Sequence, residues 1–140
     1  MTAGLQRFRQ MFNPSYTRVG SSKEGRVKRG IRVLGGNDEA VTNLHKFMRN
    51  RGFMTNGYGP DEMDLVFIFS DRLDNYRKPA YRPSFLQEFP NAYIVAVFGS
   101  KEQMREIESV ILMQLGIQES IVYCGFDYTG INRVIKNAGY

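Results

Sequence analysis

The sequence predicts a single three-layer α/β domain, Rossmann-like or flavodoxin-like, whose mainly parallel sheet is preceded by a basic, extended N-terminal arm. Strand-like and helix-like segments alternate from residue 31 onward, and helices of about 10 to 15 residues between strands imply right-handed crossovers. Two strand segments, DLVFIF (64–69) and NAYIVAVF (91–98), are too continuously apolar to have a solvated face. Such strands are typical of the buried centre of a parallel sheet.

The first strand is IRVL (31–34), and the helix after it carries apolar residues at spacings of three and four: Val41, Leu44, Phe47 and Met48. That helix should end near Gly52, with Arg49 and Arg51 favourably placed in its last turn. GFMTNGYG (52–59) indicates a weak strand or a turn.

The second half repeats the alternation. Ser84 and Gln87 open a short helical turn that Pro90 ends, and Ser100 with Gln103 forms a capping box for a longer helix that stops at Gly116. SIVYCGF (120–126) is the last strand, and a helix follows it.

The predicted core comprises Val33, Val66, Ile68, Ile94, Val95, Val97, Ile107, Ile111, Val122 and Val134. The apolar stripes of the last two helices are Met104, Ile107, Ile111 and Leu115, then Ile131, Val134, Ile135 and Ala138.

Charge separates an arm (residues 1–30) from the α/β domain (residues 31–140). The net charge of the 140-residue chain is +5, but residues 1–32 hold eight basic side chains and one acid, or +7, so the remainder carries −2. The arm is rich in Gly and Ser and has no sustained periodicity, which predicts an extended or partly disordered segment. Such a basic arm attracts nucleic acid or an acidic protein surface.

Other features narrow the class of protein. No apolar run approaches the roughly 20 residues of a membrane span, no secretory signal is evident, and no strongly apolar face accompanies the basic charge. With one cysteine, Cys124, no internal disulfide can form, so we expect a cytoplasmic setting without membrane binding. His45 lies off the apolar stripe of its helix and is expected at the surface. We expect no zinc site, since one Cys and one His do not make one.

The segment GIRVLGGNDEAV (30–41) raises the question of a phosphate site, because two glycines separate a strand from a helix. The dinucleotide fingerprint needs three glycines and the Walker loop needs a Gly-Lys-Ser/Thr ending, and both are missing. A tight turn with Asn37 or Asp38 as N-cap is the favoured interpretation. A nucleotide site at the carboxyl edge of the sheet is the alternative. Its candidate residues are Gly35, Gly36, Asn37, Asp38, Ser70, Asp71, Ser100 and Lys101.

Three acids, Asp38, Asp71 and Asp127, follow predicted strands, where doubly wound folds often hold magnesium. A phosphoacceptor receiver domain also places acids at strand ends, but Asp127 stands here where that family has its lysine, and a single acid follows the glycines. Capping is favoured over metal binding for these residues. No metal or cofactor is expected.

The leading functional hypothesis is a non-enzymatic protein that engages nucleic acid or a nucleoprotein assembly. A Tyr/Arg-rich loop (72–82) between the central strands mixes aromatic and basic groups, which suits base stacking together with phosphate contacts; packing of the loop by its own tyrosines is an equally good interpretation. An adaptor for an acidic protein partner is a further alternative. The predicted nucleic-acid contacts are Arg7, Arg9, Arg18, Lys23, Arg26, Lys28, Arg29, Arg77, Lys78, Tyr81 and Arg82.

Overall fold

Four parallel strands form the sheet in the computed structural model, which describes residues 29–73, 84–123, 125 and 127–140. The strands lie side by side in chain order. They are β1 (Gly30–Leu34), β2 (Met63–Phe69), β3 (Tyr93–Phe98) and β4 (Glu119–Val122). The predicted α/β fold with a mainly parallel sheet is therefore confirmed.

Helices connect the strands and cover the sheet. Helix α1 lies between β1 and β2, α2 and α3 lie between β2 and β3, α4 and α5 lie between β3 and β4, and α6 follows β4. Their bounds are α1 (Asp38–Arg49), α2 (Ser70–Leu73), α3 (Phe85–Glu88), α4 (Lys101–Glu106), α5 (Ser109–Gln114) and α6 (Tyr128–Asn137), with a 3₁₀ turn at Pro60–Glu62. Among the described residues, none of these helices is both long and apolar enough to cross a membrane.

A single residue, Met54, adds a rudimentary fifth position to the sheet. It forms a parallel bridge with Gly30, in which Met54 N donates to Arg29 O and Ile31 N donates to Met54 O, both at 2.8 Å. These groups point away from β2, because alternate residues of a strand bond to opposite sides. The spatial order is thus Met54, β1, β2, β3, β4, which is a reduced form of the flavodoxin-like order 2-1-3-4-5.

This order explains why helices cover both faces. From β1 the chain passes through α1 to Met54, in one direction across the sheet. From β2 to β3 and from β3 to β4 it passes through α2 to α5, in the opposite direction. Because each crossover is right-handed, α1 lies on one face of the sheet and α2 to α5 lie on the other. Helices α1 and α6 share one core with the side chains of Leu65, Phe67 and Val95. Helices α2 to α5 pack on the other face, against side chains that include Val66 and Ile68.

Most of the predicted core is buried, and three of its members are only half-buried: Val33, Ile111 and Val122. His45 is also half-buried, where the sequence predicted a surface position. The helix predicted after β3 is broken at Ile107, whose extended backbone (φ −105°, ψ 107°) separates α4 from α5. Extended geometry suits a β-branched residue. It directs the buried Ile107 side chain toward the second core, which is the one on the face covered by α2 to α5.

The last strand is shorter than predicted, because β4 ends at Val122 rather than near residue 126. Tyr123 N still donates to Phe98 O, but Gly125 has a φ of +70°, which an extended strand does not allow. Cys124 lies outside the described residues.

Candidate functional site

The glycine turn after β1 is closed by the protein's own groups. Gly35 and Gly36 have φ of 77° and 83°, the left-handed region that favours glycine. Gly36 N donates to Asp71 Oδ1 at 2.8 Å, and Asn37 Oδ1 accepts from Ala40 N at 2.8 Å as the N-cap of α1. Two amides of this turn, those of Gly36 and Ala40, are thus bonded to side-chain oxygens, and the Asp71 carboxylate would repel a phosphate.

A second network occupies the carboxyl ends of β2 and β3. Gln103 Oε1 accepts from Gly99 N at 2.8 Å and from the Ser70 hydroxyl at 3.2 Å. Ser100 Oγ accepts from Gln103 N at 3.2 Å, which caps α4 as predicted. In a complete capping box the side chain of Gln103 would accept a hydrogen bond from Ser100 N, but here it accepts from Gly99 N instead. The reversal of strand order between β1 and β2, where such sheets bind ligands, is therefore bordered by two internal hydrogen-bond networks.

The three strand-end acids do not converge on a metal site. No group of three His, Cys, Asp or Glu side chains that could hold an ion occurs in the part of the chain that the structure describes. Asp127 caps α6 by accepting from Gly130 N at 3.1 Å, and Asp38 is the exposed first residue of α1. Lys101, the remaining predicted site residue, is exposed at the start of α4.

The opposite, amino edge of the sheet carries a basic and aromatic cavity of about 460 Å³. It forms where the arm joins β1 and where α1 and α6 end. Its lining residues are Arg29, Phe47, Asn50, Arg51, Phe53, Ile135 and Tyr140.

Both arginines of the cavity lie over aromatic rings. The Arg29 guanidinium carbon is 5.8 Å from the Phe53 ring centroid and 5.7 Å from that of Tyr140, and the Arg51 guanidinium carbon is 4.7 Å from the centroid of Phe47. Arg29 Nη1 also donates to Arg51 O at 3.5 Å. Cation–π contacts hold a guanidinium by its face and leave its in-plane N–H groups available to an anion.

The side chains that line the cavity carry a formal charge of +2, from Arg29 and Arg51. Among the residues that the structure describes, neither Arg29 nor Arg51 forms an ion pair with an acid. The carbonyl ends of α1 and α6 contribute roughly half a negative charge each, which offsets part of the charge of the two guanidiniums. The two guanidiniums can still attract an anionic group.

One histidine lies on α1 near this edge. Partial burial, and then the charge of Arg49, lower the pKa of His45 below its ordinary value. This shift favours the uncharged imidazole, so the positive charge at the cavity comes from its two arginines.

Of the predicted nucleic-acid contacts, Arg29 is described and lies in the cavity. The other arm residues (Arg7, Arg9, Arg18, Lys23, Arg26 and Lys28) and the loop residues (Arg77, Lys78, Tyr81 and Arg82) lie outside the described residues. Sequence reasoning missed other residues of the cavity, namely Asn50, Arg51 and the aromatic rings. The spacing of Phe47 and Arg51, four residues apart at the end of a helix, was the available signal.

Comparisons with known proteins support the fold and go no further. No protein-family model matches the chain, and no curated protein matches it significantly. A solved structure shares the fold. It is that of a protein from Burkholderia pseudomallei K96243 described as pilus assembly-related, with a TM-score of 0.52 and 12% identity over 79% of this chain and 88% of that one. At this identity the likeness shows the α/β fold alone.

Proposed function

We propose that the protein is a non-enzymatic binding protein that engages nucleic acid through its basic arm and the basic cavity at the amino edge of the sheet. The observation that supports this most directly is the place of Arg29. It is the last residue before β1, so the arm, which holds most of the excess positive charge, continues directly into the Arg29 and Arg51 pair. A polyanion held by the arm would reach this pair without crossing the slightly acidic remainder of the domain.

The chemistry of this surface suits a phosphate backbone. Guanidinium groups bind phosphate oxygens through paired N–H donors, and each phosphate neutralised releases counterions. The carboxyl edge offers less, since the amides of Gly36 and Gly99 are bonded internally. The nucleotide alternative at Gly35 to Asp38 stays a prediction, and no contact of that turn favours it.

The test compares two pairs of substitutions that remove the same charge. Arg29→Gln with Arg51→Gln removes the cavity arginines, and Lys46→Gln with Arg49→Gln removes two exposed cations of α1 outside the cavity. Both variants lose two positive charges, so long-range attraction falls equally. Local contact is lost in the first variant alone.

Binding of a single-stranded and a duplex oligonucleotide is measured by fluorescence anisotropy across a salt series. For the intact protein we expect log K to fall linearly with log salt, with a slope that reflects about five to seven phosphate contacts at roughly 0.7 to 0.9 each. The cavity variant should lower the slope by about 1.5, and the control variant by much less. If the intact protein binds neither DNA nor RNA at about 50 mM salt, the proposal fails and an acidic protein partner becomes the better hypothesis.

A further inference from the structure

The cavity at the amino edge has the size of a small-molecule site. Its volume of about 460 Å³ falls within the range of about 300 to 1,000 Å³ that is usual for ligand pockets. Four apolar or aromatic side chains and three polar ones (Arg29, Asn50 and Arg51) line it, and polar atoms form the larger part of its surface. This combination differs from a flat basic surface, which would attract phosphates without selecting what is attached to them.

The two guanidiniums provide an anion site of fixed geometry. The rings of Phe53 and Tyr140 hold Arg29, the ring of Phe47 holds Arg51, and the bond from Arg29 Nη1 to Arg51 O links the two. Each guanidinium has five N–H donors, and one of those of Arg29 is used by this bond. A phosphate group, with several acceptor oxygens, matches such a pair of planar forks.

The wall also suits a flat heterocycle. Bases in single strands stack on aromatic rings and on guanidinium planes, and the ring of Tyr140 and the planes of the two arginines are surfaces of these two kinds. The carboxamide of Asn50 offers a donor and an acceptor together, which is the pattern that reads the edge of a base. The apolar side chain of Ile135 closes the cavity toward the core.

We propose that this cavity binds one nucleotide unit, with its phosphate on Arg29 and Arg51 and its base stacked in the aromatic part beside Asn50. The choice of ligand rests on the proposed function. The unit can come from a free mononucleotide or from an unpaired residue of a single strand, and the chemistry is the same. A base within a duplex is stacked on its neighbours and is not available to the cavity.

The test uses the full chain and titrates it with adenosine 5′-monophosphate, adenosine and inorganic phosphate by calorimetry. We expect saturable binding of the nucleotide, with an affinity at least about 10-fold above that of either fragment, since each fragment lacks half of the contacts. Arg51→Gln should weaken nucleotide binding by about 10-fold, because a hydrogen bond to a charged group is lost. Arg49→Gln, two residues away and outside the cavity, should change it less than 2-fold, or roughly 0.4 kcal/mol.

Further comparisons distinguish a free nucleotide from a residue of a single strand as the ligand, and they distinguish failure of this inference from failure of the proposed function. Displacement of the mononucleotide by a single-stranded but not a duplex oligonucleotide would support a residue within a strand, and no displacement would support a free nucleotide. Absence of saturable mononucleotide binding, or equal losses in Arg51→Gln and Arg49→Gln, would overturn this inference even if salt-dependent oligonucleotide binding persists. Mononucleotide binding without oligonucleotide binding would support it while refuting the proposed function.

Discussion

Replacement of Gly36 by alanine tests whether the turn after β1 is a close-packed structural element. Gly36 has a φ of +83°, and a Cβ built on it would lie 2.8 Å from Phe69 Cδ2 and 2.9 Å from Phe69 Cγ. The ring cannot withdraw freely, because Phe69 is buried and lies edge-on to Tyr123 with centroids 5.9 Å apart. The substitution therefore adds a backbone penalty and a packing penalty.

The backbone penalty and the packing penalty can be measured separately by comparison with a second glycine. Gly57 has a similar φ of +87°, but its added Cβ would have nothing within 4 Å. Alanine in the left-handed region costs roughly 1 to 2 kcal/mol at either position, and the reduced entropy of the unfolded chain applies equally to both. Overpacking against Phe69 adds about 1 to 3 kcal/mol at Gly36 alone. We expect Gly36→Ala to cost about 2 to 5 kcal/mol and Gly57→Ala about 1 to 2.

Urea unfolding of both variants measures this difference, with the slope m compared to confirm that the unfolded states match. Equal costs for Gly36→Ala and Gly57→Ala would refute the close packing of the turn against Phe69. The oligonucleotide binding that we propose for the opposite edge should be unchanged in the folded fraction of both variants. A selective loss of mononucleotide affinity in Gly36→Ala would instead revive the carboxyl-edge site.

Two further predictions concern α1. Asn37→Ala should lower the free energy of unfolding by about 1 kcal/mol, through loss of the bond from Ala40 N; Asp38→Ala should cost only about 0.3 to 1 kcal/mol through the helix dipole, and thermal unfolding of the pair checks the order. The lowered pKa of His45 means that the unfolded chain takes up a proton first, so acidification from about pH 6.5 toward the folded pKa should destabilise the wild type. His45→Gln removes this contribution. The free energy of unfolding of the wild type and of His45→Gln is therefore compared at about pH 8 and pH 5, and a difference between them that is the same at both values would contradict this role of His45.

Much of the fold was predictable because burial on both faces leaves a continuous apolar record in the sequence. β2 and β3 are read directly from such runs, and Gly116, with a φ of +80°, ends its helix where predicted. The break at Ile107 was not predictable, since Met104, Ile107 and Ile111 keep the spacing of one uninterrupted stripe. Whether Ile107 is helical depends on the shape of the second core, which is a tertiary property.

The candidate site was less accessible to sequence reasoning. Arg29 was predicted as a phosphate contact from charge alone, but its neighbours Arg51 and Tyr140 come from helix ends that are distant in the chain. Only the order of strands brings the ends of α1 and α6 to the point where β1 begins. A local sequence pattern does not show contacts between such distant segments. The caps Asn37 and Ser100 could be predicted because each bonds to an amide only three residues further along the chain.

The sequential order of the sheet has a consequence for synthesis. Each of β2, β3 and β4 pairs with the strand that precedes it in the chain, so the sheet can grow outward as the polypeptide leaves the ribosome. The face that α1 begins to cover is completed only by Ile131, Val134 and Ile135 of α6. A nascent chain that has emerged as far as β4 lacks these three side chains and leaves this face incompletely covered, and it is at this stage that we expect the protein to depend most on chaperones.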